Sequence, residues 1–290
     1  MLSRRTFLGL AGGMVVLAAC GGNDDDAASS EPGMHDHGEF SELAPAVVAS
    51  DLHVSAQPQR FAFAMTAKEG FASGSPVRVA VAPPGSETAD FVATTLHTDG
   101  LPDRRGVYVA HLTFDQAGTW NGVVDRDGEM LPFAFAVKAE AEAPVAGDRA
   151  PTAASPTPGS TLGVDPICTR DPMCELHGDS LDSVIGHGTP VAVLFATPAR
   201  CTSQYCGPVL DSLLPLVPAY EGRIRFVHVE IFKDLRTTDL VPTVTDWGLP
   251  SEPWLFGVAA DGTIAARLDG AFGQDEMRSV LDELVRAAAS

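Results

Sequence analysis

Between residues 44 and 138 apolar side chains recur at every second position, and that period constrains the fold more than any other feature. Phe61-Ala62-Phe63-Ala64-Met65, Val77-Arg78-Val79-Ala80-Val81, Val107-Tyr108-Val109-Ala110-His111-Leu112 and Phe133-Ala134-Phe135-Ala136-Val137 all follow it. A period of two sends successive side chains to opposite faces, so each run reads as a half-buried β-strand. Pro83-Pro84-Gly85, Asp99-Gly100 and Asp127-Gly128 punctuate the runs as turns. Short strands without helical periodicity predict an antiparallel sandwich over 44–138. His53, His97 and His111 are scattered through it in no catalytic pattern, so this part is expected to bind or to space.

Residues 139–165 are rich in Ala, Pro, Glu, Ser and Thr and end in Pro156-Thr157-Pro158-Gly159-Ser160, a composition that predicts a semi-extended linker. The pattern then changes over 166–290. Residues 190–195 and 224–231 are continuous apolar runs, as in strands covered on both faces. Residues 209–220 carry Leu210, Leu213, Leu214 and Val217 at helical spacing, and 275–286 carry Met277, Val280, Leu281, Leu284 and Val285. Between them Trp254–Val258 and 263–268 flank Asp261-Gly262 as a hairpin. Strand alternating with helix predicts an α/β unit here.

The N-terminus reads Ser3-Arg4-Arg5-Thr6-Phe7-Leu8, then an apolar stretch ending in Leu17-Ala18-Ala19-Cys20. At about 13 residues that stretch is too short for a stable membrane span. It resembles a bacterial lipoprotein signal peptide of twin-arginine type. The resemblance implies removal of residues 1–19, lipidation of Cys20 (an acyl chain such as palmitate) and anchoring at the extracytoplasmic face of the cell membrane. Residues 20–43, polar and Asp-rich at Asp24-Asp25-Asp26, would be a disordered tether. A formal net charge of −19 repels nucleic acid and anionic headgroups, leaving the lipid as the link to the membrane.

With Cys20 set aside, Cys168, Cys174, Cys201 and Cys206 remain, an even set that suits disulfides or a redox pair in an oxidising compartment. Three pairings are open, and proximity favours Cys168–Cys174 and Cys201–Cys206. The first lies in Pro166-Ile167-Cys168-Thr169-Arg170-Asp171-Pro172-Met173-Cys174 and reads as a structural disulfide stapling a loop. A metal site with His177 lacks a convincing four-ligand set, and His228, on an apolar run, reads as a core residue. His35 and His37, in Met34-His35-Asp36-His37, suit copper but read as a chance pair in the tether.

The order strand, cysteine turn, helix, strand, proline turn, hairpin, helix resembles thioredoxin. The residues that carry it are Phe195-Ala196-Thr197-Pro198, Trp247-Gly248-Leu249-Pro250-Ser251-Glu252-Pro253, Asp261-Gly262 and Gly270-Ala271. Gly106-Val107-Tyr108-Val109 with Ala117-Gly118-Thr119-Trp120 resembles the closing strands of immunoglobulin-like domains. Together these imply an all-β immunoglobulin-like sandwich followed by an α/β thioredoxin-like fold. The thioredoxin resemblance further implies a thiol–disulfide oxidoreductase acting on exported protein thiols or disulfides, with no cofactor. Cys201 and Cys206 would be the redox pair, Pro253 would follow a cis peptide bond beside the sulfur, and Arg200, Tyr205 and Trp254 would line the substrate groove.

Two departures weaken that reading. The cysteines are spaced Cys201-Thr202-Ser203-Gln204-Tyr205-Cys206, so either Cys201 attacks from an enlarged loop or Cys206-Gly207-Pro208-Val209 replaces the family motif and lacks its second cysteine. Residues five apart on a helix lie roughly 8–9 Å apart, beyond disulfide reach, so a bonded Cys201 must precede the helix. The family's buried acid is Leu194 here. A redox-inactive binding lipoprotein and a copper-handling lipoprotein are the competing expectations.

Overall fold

The computed structural model describes residues 5–6, 43–68, 70–102, 105–200 and 205–289. The alternating runs of the first half pair into two antiparallel sheets. One has the order β2 (Ala44–Val47), β3 (Ser55–Ala67), β9 (Val107–Phe114), β8 (Thr95–His97), with β4 (Gly70–Ala72) also on β3. The other has the order β11 (Glu129–Val137), β10 (Gly118–Arg126), β5 (Arg78–Ala82), β7 (Val92–Ala93). A separate ribbon joins β1 (Arg5–Thr6) to β6 (Thr88–Ala89).

Aromatic side chains from both sheets meet in one core. Phe61, Phe63, Phe114, Trp120 and Phe135 are buried there, with Trp120 edge-on to Phe114 at 5.1 Å between ring centroids. Burying each such ring contributes about 1.5–3 kcal/mol. In β10 the Phe133 ring of β11 lies over Gly122, where a Cβ would come within 2.1 Å of it. Only glycine leaves room for that ring.

The apolar runs of the second half form a four-stranded sheet ordered β13 (Arg225–Val229), β12 (Val191–Phe195), β14 (Trp254–Val258), β15 (Ile264–Asp269). Strands β12 and β13 are parallel, pairing Leu194 with His228, and the other pairs are antiparallel. One face packs on α1 (Leu181–Val184), α3 (Pro242–Asp246) and Trp247. The opposite face packs on α2 (Cys206–Leu213) and α4 (Gln274–Ala288). Among the described residues no helix is long and apolar enough to cross a membrane.

The expected fold class is corrected by this architecture. The chain is mostly β-sheet, 36% strand against 16% helix, with four α-helices among the described residues, so it is not a sandwich followed by an α/β thioredoxin-like fold. Proline supplies much of the reason. The helix expected over 209–220 is α-helical only to Leu213 and continues as a 3-10 turn through Leu214–Tyr220, which contains Pro215 and Pro218. Each proline removes a backbone donor and clashes with the preceding turn. Nor is the core divided between two separate halves. Ala62, Val107 and Val109 of the first half share one apolar cluster with Leu194, Leu210 and Leu281 of the second. Residues 139–165, expected as a linker, are tied down as well: Gly147 N–H donates to Ile264 O, Ala150 N–H to Gly262 O, and Ala143, Ala150 and Val164 are buried.

Polar contacts lock the same junction. Arg60 donates to Glu276 at 2.7 and 2.9 Å and to the carbonyls of Asp269 and Ala271. Gly270 has φ +75°, and its Cα faces Val48 O so closely that a Cβ would stand 1.7 Å from it. Asp51, with no side-chain exposure, accepts from Glu142 N–H, Ala143 N–H, Lys138 and Arg267 at 2.9–3.2 Å. Burial alone would raise Asp51, but the Glu142 N–H, the Arg267 guanidinium and the Ala143 N–H together hold its carboxyl below the usual carboxylate range.

A depressed folded value makes stability depend on acid in one direction. The contribution of Asp51 is complete above the unfolded value of about 4 and disappears as pH falls through the folded value. Asp51→Asn leaves the partly buried Arg267 and the Lys138 ammonium without their shared counter-charge and is expected to cost about 2–4 kcal/mol in urea unfolding at pH 7. The difference from wild type should shrink below pH 4. A difference that stays constant with pH would show that the carboxylate is not what holds the junction.

Candidate metal centre

The irregular segment before α1 brings Cys168, Cys174 and His177 to the edge strand β13. Backbone pairing sets the approach: His228 N–H donates to Leu176 O at 2.8 Å, and Asp165 N–H to Lys233 O at 2.8 Å. The parallel register of β13 on β12 turns His228 to the face that holds Leu194 and α2. There its ring meets the two sulfurs and the His177 ring. All four side chains are buried, at 6, 5, 3 and 0% exposure for Cys168, Cys174, His177 and His228.

The sulfurs stand 3.8 Å apart. His228 Nδ1 is 3.4 Å from Cys174 Sγ, 3.9 Å from Cys168 Sγ and 3.2 Å from His177 Nε2, which is 3.4 Å from Cys174 Sγ. All the donor atoms lie within 4.8 Å of one another. Four donors placed tetrahedrally around zinc, with Zn–S near 2.3 Å and Zn–N near 2.0 Å, would be spaced about 3.8 Å for S···S, ~3.5 Å for S···N and ~3.3 Å for N···N. The five edges that join Cys168, Cys174 and His177 to one another or to His228, Cys168–His177 aside, follow that tetrahedron to within about 0.4 Å, and the Cys168–His177 edge is no longer than 4.8 Å.

Protonation suits the same role. His228 Nε2–H donates to Ala196 O at 2.9 Å, which leaves the Nδ1 lone pair facing the sulfurs. Burial lowers the His228 pKa and keeps the ring neutral. The contact between the two sulfurs lowers the Cys168 pKa and raises that of Cys174, with burial adding to the rise at Cys174. Beside them Glu230 accepts from Thr169 N–H at 2.6 Å and from Thr169 Oγ1–H at 3.2 Å. Burial pushes its carboxyl up to about 8, against the lowering pull of the Thr169 N–H.

These positions alter the expectations from sequence. Cys168 and Cys174 do not form the expected disulfide, because 3.8 Å is far beyond a bonded S–S distance of about 2.05 Å. His228 is buried in the core as anticipated, yet it faces the cysteines as a fourth donor. The signal available for it was a histidine at an inward position of the apolar run 224–231, and its neighbours there depend on register alone. Cys20, His35, His37 and Cys201 lie outside the described residues. Cys206 is the first residue of α2 and fully buried. The Glu252–Pro253 peptide bond is cis, and Trp254 is buried in β14. Tyr205 is buried edge-on to Phe71, with burial pushing its phenol up to about 12. Arg200 lies over the Phe232 ring and donates to Thr237 O.

No known protein family and no curated protein matches this chain.

Protein purified without reductant or chelator should yield Cys168 and Cys174 as thiols in a peptide map, both alkylated under denaturing conditions with chelator added. Recovery of a cross-linked Cys168–Cys174 peptide as the main species would restore the staple.

Proposed function

We propose that this chain is a metal-binding protein of the bacterial envelope, holding one zinc-type divalent ion through Cys168, Cys174, His177 and His228. The observation that carries the reading is the near-tetrahedral spacing of two sulfurs and two imidazole nitrogens in a buried cluster. Two thiolates balance a divalent cation, so the filled site is neutral and suits its low-dielectric surroundings. Four protein donors complete the shell and leave no position for a substrate, which favours a structural ion over a catalytic one. The ion would fasten the irregular segment 165–177 to β13. In this reading the N-terminal lipid holds the protein at the extracytoplasmic face, and the β-sheets of the first half serve as its binding surface.

Thiol exchange at Cys201 and Cys206 is the second reading. One observation favours it: Cys206 is the first residue of α2, where the positive end of the helix dipole favours a thiolate.

The test is Zn2+ titration of the metal-free, reduced chain. One equivalent is expected to bind, and ion at a thousandfold excess over its dissociation constant should stabilise the fold by about 4 kcal/mol. Co2+ should give the intense visible bands of a four-coordinate site with thiolate charge transfer. His228→Ala and Cys174→Ser should each weaken binding by about 100-fold or more. Binding well below one equivalent, or full affinity in His228→Ala, would refute the assignment.

A further inference from the structure

The centre does more than close its own loop, because its ligands and their neighbours hold both ends of the turn between β12 and α2. On the β12 side, His228 Nε2–H donates to Ala196 O at 2.9 Å. Ala199 N–H donates to Thr169 Oγ1 at 3.1 Å, and Thr169 follows the ligand Cys168. Ile231 N–H donates to Thr197 Oγ1 at 2.9 Å, fixing the same stretch to the strand that carries His228. On the α2 side, Arg170 Nε–H donates to Asp211 Oδ1 at 2.8 Å. Cys168, Cys174, Leu176, Cys206, Val209 and Leu210 belong to one apolar cluster, so the ligand sulfurs and Cys206 share continuous packing.

We infer that occupancy of the Cys168/Cys174/His177/His228 centre controls the chemical accessibility of the Cys206 thiol, an inference that rests on the metal-binding reading above. With the ion bound, Thr169 and Arg170 are held at fixed positions and clamp residues 196–199 and Asp211, and Cys206 stays fully buried. Without it the four donors lose their common centre, and the segment that carries three of them keeps only a few backbone bonds to β13. Segment 168–177 then relaxes and releases the two clamps together. Packed interiors transmit such a shift because they hold discrete arrangements. The centre thereby acts as a metal-dependent guard over a buried cysteine at a helix start, a form of regulation that needs no contact between the ion and the regulated sulfur.

The experiment measures native-state alkylation of Cys206 by iodoacetamide, read from its peptide by mass spectrometry. It uses the reduced Cys201→Ser chain, with and without one equivalent of Zn2+. Alkylation is expected to be at least about tenfold slower in the loaded protein, a difference in opening of about 1.4 kcal/mol. Thr169→Val keeps all four ligands and removes the hydroxyl that clamps Ala199. Loaded Thr169→Val should bind Zn2+ within about threefold of the parent and yet alkylate faster, towards the metal-free rate. This variant carries the test should the metal-free parent unfold. Bound Zn2+ with equal Cys206 rates in loaded parent and loaded Thr169→Val overturns the inference and leaves the metal site standing. No bound Zn2+ in the parent removes both.

Discussion

Asp51 is the constraint on which the arrangement of the molecule depends. A carboxylate without side-chain exposure must be compensated on every side, and Asp51 finds its partners in three stretches of chain: Lys138 at the end of β11, the N–H groups of Glu142 and Ala143, and Arg267 on β15. Satisfying one buried charge therefore fixes where the first half, the 139–150 stretch and the last hairpin meet. The Arg60–Glu276 pair, 9% exposed on each side, repeats the device on the neighbouring surface. Charges this deep contribute little net stability as pairs, but separating either partner is costly, which makes the junction specific.

The same accounting of buried polar atoms explains why the metal centre stands out. Two cysteines and two histidines lie together at the edge of the second sheet, and His177 Nδ1 has no hydrogen-bond partner among the described residues. A divalent ion held by the four donors would form a neutral complex that matches its apolar surroundings. The segment that carries three of the donors has no helix or strand from 165 to 177 and relies on a few backbone bonds to β13. An ion tying it to His228 would supply the cohesion that its own apolar residues do not.

Strand positions were largely legible in the sequence. The alternating runs coincide with β3, β5, β9 and β11, and the continuous runs with β12 and β13, because burial on one face or two leaves its own period. Strand β10 was less visible, since Asn121, Gly122 and Asp125 break its pattern, and Gly122 makes sense only beneath the Phe133 ring of its neighbour. Leucine spacing predicts a longer helix than α2, because that spacing takes no account of Pro215 and Pro218, which lie in the 3-10 turn that follows it. The fold class is hidden from local pattern for a related reason. Local order of elements says little about how much helix survives proline, or about a core shared across both halves.

What the sequence determined by itself is local: which segments are strands, where turns fall, and that Cys168, Cys174 and His177 lie within reach of one another along the chain. What tertiary structure decided is the fourth donor. His228 lies 51 residues from His177, and its position against the sulfurs comes from the parallel pairing of β13 with β12 and from the bond to Leu176 O. A shift of one residue in that register would turn the imidazole to the opposite face of the sheet and leave three donors without a centre. Spacing along a chain reveals ligands that share a loop, whereas a ligand contributed by a strand is placed by hydrogen bonds that no local pattern records.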